Sequence, residues 1–345
     1  MKASCKKHIL EFKQPSGTSR GIMTSKETWF LILNHRGKSG IGECGLLKGL
    51  SIDNHEDYES KLKWVCDNID LGAEYLYHEL DEFPSIQFGL EMAMKSLKCQ
   101  DPFVLFPSEF TQGHDSILIN GLVWMGSKSF MKSQIREKLA SGFNCIKMKI
   151  GAIDFDTEIE LLKFIRNEYT AADIKIRVDA NGAFNPKEAL DKLNRLNELE
   201  LHSIEQPIQP QQYDDMARLC SQSPLPIALD EELIGIIPIS EKKKLLETVR
   251  PHYIILKPSL IGGYRKSQEW IDLAKNNSIC WWITSALESN IGLNAIAQWT
   301  YTLKNELHQG LGTGSLFTNN IMSPLIVKNG TLHYQTNLNW NFNLS

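Results

Sequence analysis

In Cys145-Ile146-Lys147-Met148-Lys149-Ile150-Gly151, apolar residues alternate with two lysines. Side chains alternate along a strand, so Lys147 and Lys149 share one face while Ile146, Met148 and Ile150 take the other. Lysines spaced this way usually decorate a wet sheet. Here the following strand-like runs end differently. Arg177-Val178-Asp179, Ser203-Ile204-Glu205 and Ala228-Leu229-Asp230 each close on a carboxylate, and Ile255-Leu256-Lys257 closes on another lysine.

Working outward, the rhythm from Ser116 on is strand, loop, helix, repeated. Strands are expected at 117–122, 145–150, 174–178, 202–205, 227–230, 253–257 and 280–284. Helices are expected at 156–169, from Asn185-Pro186 (a cap followed by proline at the first helical position), and at 213–220, 240–249, 264–276 and 290–304. The steps from Lys149 to Asp179, Glu205, Asp230, Lys257 and Ser285 are 30, 26, 25, 27 and 28 residues. A (β/α)₈ barrel of about 250 residues uses about 31 per unit, so the period fits a barrel. A doubly wound open sheet gives a similar alternation, and the period alone does not separate them.

Residues 1 to about 100 read as a smaller α+β unit. Thr28 to Leu33 is strand-like, Gly37-Lys38-Ser39-Gly40 a turn, and Ile41 to Cys44 a second strand. Asp53 through Glu56 has the pattern of a capping box opening a helix through Leu62 and Val65. A further helix follows Pro84. Asp101-Pro102 and Pro107 mark a boundary. The expected division is a capping domain at 1–100, a barrel at 116–318, and a return to the cap at 319–345, where Lys328-Asn329-Gly330 turns between two short strands.

With 345 residues, 42% hydrophobic and 23% charged, the chain reads as globular. A net charge of -4 and the absence of a basic block give no electrostatic case for a nucleic-acid partner. The seven cysteines are scattered with no Cys-x-x-Cys pair, which suits free thiols in a reducing compartment. The opening residues do not read as a signal peptide, and no apolar run reaches the ~20 residues of a membrane helix. A cytoplasmic protein with no membrane partner is expected.

Parallel α/β folds gather the C-terminal ends of their strands at one end. Three consecutive strands would therefore bring Asp179, Glu205 and Asp230 together. Carboxylates so close repel, and an all-oxygen set suits Mg²⁺, with Mn²⁺ as substitute. Taken singly, each acid could instead cap the following helix. Lys147 and Lys149 precede the first acid and Lys257 follows the last, so the amines would flank the cation. A lysine beside other cations can serve as general base; Lys257 could alternatively be a salt-bridge partner of Asp230. Such a set suits removal of a proton α to a carboxylate, because the cation stabilises the enolate. A Lys base with Mg²⁺ is the arrangement known from enolase-type enzymes.

Lys147-x-Lys149, Asp179 in Asp-Ala-Asn-Gly, Glu205 in Glu-Gln-Pro, Asp230-Glu231 and Lys257-Pro258 resemble the muconate-lactonizing-enzyme subgroup of the enolase superfamily, over nearly the whole chain. Within it, Ser16 to Gly21, Gly45 to Ser51 and Ser285-Ala286-Leu287-Glu288-Ser289 are most similar to the o-succinylbenzoate synthase family of menaquinone biosynthesis. The resemblance implies an α/β fold, a modified (β/α) TIM-type barrel with an α+β capping domain formed by the N-terminal part and the C-terminal tail. It implies a Mg²⁺-dependent lyase performing a syn dehydration of a small-molecule carboxylate, with Lys149 as base, Lys257 as stabilising cation and Lys147 tuning Lys149. It places Ser285, Asn181 and the Gly312-Thr313 backbone at the substrate. Arg20, on a Gly/Ser-rich loop, either closes over the site or is solvated.

Two rivals stand beside this. A dipeptide epimerase or N-acylamino-acid racemase would use the same acids with Lys149 and Lys257 as two bases; a barrel without catalysis would merely bind a carboxylate. Gly40-Ile41-Gly42-Glu43-Cys44-Gly45 spells the dinucleotide fingerprint, but no helix opens after it, and turns in an antiparallel cap explain the glycines better.

Overall fold

The structure, a computed structural model, describes residues 1–18 and 21–342. Arg20 lies outside the described residues. The N-terminal part is an antiparallel sheet, β1 (Lys2–Thr18), β2 (Gly21–His35) and β3 (Lys38–Gly45), in that order. Helices α1 (Tyr58–Asp67), α2 (Ala73–His78) and α3 (Pro84–Lys98) follow. Next come β4 (Ser116–Leu118) and seven parallel strands: β5 (Gly121–Val123), β6 (Cys145–Lys149), β7 (Lys175–Asp179), β8 (Ser203–Glu205), β9 (Ile227–Leu229), β10 (Tyr253–Leu256) and β11 (Cys280–Ile283). Helices α4 (Lys128–Ala140), α5 (Phe155–Glu168), α6 (Pro186–Asn197), α7 (Tyr213–Gln222), α8 (Ile239–Val249), α9 (Pro258–Ile261), α10 (Gly263–Asn276) and α11 (Asn290–Thr302) run between and after them. The hairpin β12 (Leu325–Lys328) and β13 (Thr331–Tyr334) ends the order.

The seven strands are in sequence order across the sheet, which a doubly wound sheet would not give. The two edge strands are joined through residues 309 and 310. Gln309 bridges to Ile119 and Gly310 to Thr284, both in parallel sense, so the sheet closes into a barrel without a full eighth strand. Gly310 is required for that closeness: a Cβ there would lie 2.5 Å from Thr284 Oγ1. Local signals place the helices. Asn185 Oδ1 accepts from Lys187 N at 3.0 Å and starts α6, and Asp154 Oδ2 accepts from Thr157 N at 3.0 Å and starts α5. Ile146, Met148 and Ile150 are buried in the main core, which continues into the N-terminal sheet through Phe30 and Ile41. No helix among the described residues is long and apolar enough to cross a membrane.

Several local expectations need correction. The stretch 117–122 is not one strand: it breaks at Ile119-Asn120, so that β4 pairs with β13 while β5 enters the barrel. The turn before β3 is at Arg36-Gly37, both in the left-handed region, and Lys38 to Gly40 are already strand. Asp53 opens no helix of its own. It accepts from Ser85 N (2.9 Å) and Ser85 Oγ (2.6 Å) at the start of α3, and α1 begins only at Tyr58. Asn329 and Gly330 form the expected tight turn, with φ 50° and 70°, but its hairpin pairs with β4. The flanking residues do reach the N-terminal sheet. Asn319 Nδ2 donates to Ile9 O at 2.7 Å, and Phe342 meets Phe30 edge-on at 4.9 Å.

The fingerprint-like glycines are packing residues. A Cβ on Gly42 would sit 1.8 Å from Gly89 O and one on Gly40 2.5 Å from Ala93 O, so α3 lies directly on the backbone of β3.

Candidate active site

The register of the barrel brings the chemistry together. Lys149 pairs with Asp179 across β6 and β7, and Asp179 with Glu205 across β7 and β8; Asp230 lies two residues beyond Ala228, the partner of Glu205. Lys147 and Lys149 therefore point into the barrel, and neither is on a wet face. Lys147 is 6% exposed; its Nζ lies 2.8 Å from Asp179 Oδ2 and also contacts Glu205 Oε2. Lys149 Nζ donates to Asp179 Oδ2 at 2.7 Å and to Asn181 Oδ1 at 2.8 Å. Lys257, on the far side of the acids, donates to Asp230 Oδ2.

These groups lie at the bottom of a cavity of about 330 Å³ lined by both strand-borne and cap residues. Lys147, Lys149, Asn181 and Lys257 form its charged floor; Ser285, Gly312 and Thr313 form one wall, where Ser285 Oγ and Thr313 Oγ1 are 2.6 Å apart. Leu47 and Leu50 from the loop after β3, with Trp124, supply apolar cover.

Four buried acids, Asp179, Glu205, Asp230 and Glu231, face three amines. Burial opposes ionisation of Asp179, but Lys147 and Lys149 outweigh it and hold its carboxyl far below the usual range. Asp230 is likewise low: Lys257 and Lys147 overcome its burial. Glu205 goes the other way, pushed well up by burial and by the neighbouring Asp179 and Asp230. Burial works against the ammonium groups of Lys147 and Lys257, yet the surrounding carboxylates raise both above the ordinary lysine value.

Among the described residues no three His, Cys, Asp or Glu side chains stand as a ready coordination group, the carboxylates being drawn onto the lysines. The donor set nevertheless fits a hard divalent cation. Glu205 Oε2 meets Lys147, but its Oε1 is buried without a hydrogen bond, and this acid, between two others, is the one of the three whose carboxyl is pushed up by burial and by its neighbours. All-carboxylate oxygen donors suit Mg²⁺.

The sequence-based reading put Asn181 against substrate; in the structure it lines the cavity and also holds Lys149. Asn181 has φ 44°, a left-handed conformation that asparagine tolerates, and its Nδ2 donates to Glu231 Oε1 at 2.8 Å. Gln206 was missed altogether. Its Oε1 accepts from Asp230 N (3.2 Å) and Glu232 N (3.3 Å), and its Nε2 donates to Glu232 Oε2 (2.9 Å), so it fixes the turn that carries Asp230. The only sequence signal for it was its place in Glu205-Gln206-Pro207.

The family described as Enolase C-terminal domain-like matches residues 131–337. The chain belongs to this family. An enolase-family relative, the o-succinylbenzoate synthase of Desulfotalea psychrophila, is 46% identical over 96% of this chain and 98% of that protein. The crystal structure of MenC from the same organism superposes with a TM-score of 0.86 at 42% identity, covering 96% of this chain and 99% of that one. More distant is the N-succinylamino acid racemase of Thermus thermophilus, 32% identical over 80% of this chain and 75% of that protein. The barrel with its antiparallel N-terminal cap is thus the enolase-family fold. Enolase superfamily members are Mg²⁺-dependent, in keeping with the unpartnered Oε1 of Glu205.

Proposed function

We propose that the protein is an o-succinylbenzoate synthase, a lyase that dehydrates 2-succinyl-6-hydroxy-2,4-cyclohexadiene-1-carboxylate to o-succinylbenzoate in menaquinone biosynthesis. The observation that carries this reading is the pair of amines, Lys149 and Lys257, flanking one acid cluster beneath one cavity, in a chain 46% identical to a synthase along nearly its whole length. Asp179, Glu205 and Asp230 would hold Mg²⁺, or Mn²⁺ in its place. Such an ion, when bound, draws charge from the substrate carboxylate and makes the adjacent C–H more acidic.

Lys149 takes the α-proton, and Asn181 and Asp179 aim its amine. The electron pair left on carbon forms the new ring double bond as the hydroxyl departs. Lys149, now an ammonium, returns the proton to the departing oxygen, so water leaves from the face that lost hydrogen. Lys257 stays protonated and faces the electron-rich ring as a cation. Lys147, between Asp179 and Glu205, keeps both acids in place and adds positive charge beside Lys149. Ser285, Thr313 and the Gly312 backbone receive the succinyl carboxylate. Arg20 is assigned to substrate binding from sequence alone. The division into a cap of residues 1–100, a barrel of 116–318 and a return segment of 319–345 belongs to this proposal, as does a cytoplasmic setting.

The test is ultraviolet monitoring of o-succinylbenzoate formation with and without EDTA. Turnover lost with EDTA and restored by Mg²⁺ is expected; turnover indifferent to chelation refutes the metal site. The racemase or epimerase reading rests on more distant relatives, the Thermus protein among them. It predicts faster α-proton exchange of N-succinyl amino acids in D₂O than dehydration of the cyclohexadiene acid, the reverse of what is expected here.

A further inference from the structure

Between the N-terminal sheet and the barrel lies a buried set of charges that the reaction does not use. Lys26 on β2 is 4% exposed, and its Nζ has no hydrogen-bond partner among the described residues. Glu43 on β3 and Glu288 before α11 are both 0% exposed. Glu43 accepts four hydrogen bonds. Its Oε1 takes Thr28 Oγ1 and Ser289 N, each at 2.8 Å; its Oε2 takes Ser289 Oγ at 2.5 Å and Gly292 N at 2.7 Å. Ser289 is itself the N-cap of α11, with Oγ accepting from Ile291 N. A cap carboxylate thus closes the open N–H groups of a barrel helix 246 residues away in sequence, where the helix dipole favours negative charge.

The segment just before this helix start forms a wall of the catalytic cavity. Ser285, Ala286 and Leu287 all line it. Leu287 has φ 62°, a left-handed conformation that costs a non-glycine residue about 1–2 kcal/mol. Both ends of the segment are fixed. Ser285 N donates to Gly310 O at 3.0 Å, Glu288 accepts from Ala286 N at 2.8 Å and from Ser259 Oγ at 2.5 Å, and Ser289 is held by Glu43. Leu287 packs in a small apolar cluster with Leu10 and Leu47 of the cap. Gly292 is held closely here: a Cβ on it would lie 2.9 Å from both Glu288 Cβ and Glu43 Oε2.

A lysine buried near two carboxylates is a poor source of stability, because desolvation of the charges offsets their attraction. Glu43 does impose one register between the sheet and α11, since each of its oxygens accepts from a named N–H or O–H. We propose that Glu43 is a positioning residue for the reaction: by capping α11 from the N-terminal sheet, with Lys26 as buried counter-charge, it holds Ser285 to Leu287 in the shape that receives the substrate's remote carboxylate. This rests on the assignment of Ser285 to substrate binding.

The test is steady-state dehydration by E43Q, S285A and the double variant, alongside thermal melts. The amide introduced by E43Q would present an N–H toward a donor, loosening the start of α11. KM should rise about tenfold in E43Q with kcat within about threefold, and the double variant should show no more than the larger single effect. An E43Q enzyme whose KM stays put while kcat and melting temperature fall together would overturn the proposal and leave Glu43 a structural tie. Failure of the Ser285 assignment reads out separately, as an unchanged KM in S285A. If E43Q does not fold, T28V removes only one donor to Glu43; a KM rise of about twofold supports the proposal and an unchanged KM overturns it.

Discussion

Lys149 has two acceptors within 2.8 Å, Asp179 Oδ2 and Asn181 Oδ1, so its amine is held rather than free to sweep the cavity. Removing it deletes the proposed acid and base together. K149A should lose about 10²–10⁴-fold in kcat with KM little changed, measured as o-succinylbenzoate absorbance. An unchanged kcat would return the non-catalytic barrel to favour. At this scale the lysines and acids were legible because a strand has a two-residue repeat and its end has a direction, so identity and position together fixed their facing. Asn181 was legible only as a site residue. Its hydrogen bonds to Lys149 and Glu231 depend on a left-handed backbone and a neighbour fifty residues on, which no local pattern encodes. Gln206 escaped for the same reason.

The helix–strand contact between α3 and β3 rests on the absence of side chains. G42A would push a methyl into Gly89 O, 1.8 Å from an ideal Cβ, and one partner must move. A stability loss of about 1–3 kcal/mol or more is expected by denaturant titration, with the acid cluster of the barrel intact once folded. If G42A matches the wild type, the two backbones are not in contact. The elements themselves were largely readable: α6 began where Asn185-Pro186 said it would. Errors gathered where a tertiary partner outbids a local signal. Asp53 carries the letters of a helix start but caps α3 through Ser85, and the single strand foreseen at 117–122 is pulled apart by the hairpin at one end and the barrel at the other. Helix α4, with only Met131 and Ile135 buried, offered too narrow an apolar stripe to be foreseen.

Across the whole molecule, cap and barrel are tied by groups whose ionisation depends on folding. Glu91 of α3 accepts from Tyr264 N at 2.6 Å, at the start of α10, and burial lifts its carboxyl from 4.5 to about 7. The folded state therefore binds this proton more tightly than the unfolded chain. Its contribution to stability is complete below about 4.5 and is lost as pH rises through about 7. E91Q should remove that contribution, so its melting temperature relative to the wild type rises as pH goes up across this window. A constant difference would show that Glu91 does not titrate there. The repeating strand–helix unit was visible in the 25- to 30-residue steps between strand ends, though the period alone fitted an open sheet as well as a barrel. Closure of the barrel was not, since the last position in the ring is a pair of residues too short to register as a strand.

That pair has a physical cost. A hoop gives first where it is thinnest, and this one is fastened by the amides of Asn120, Gln309, Gly310 and Ser285 instead of a continuous ladder. Deuterium should enter at those four amides well before it reaches Ile146 or Ile204 in the middle of the sheet. Because Ser285 stands at this fastening and lines the cavity, each brief loosening of the hoop would also widen that cavity, easing the passage of the proposed substrate and product.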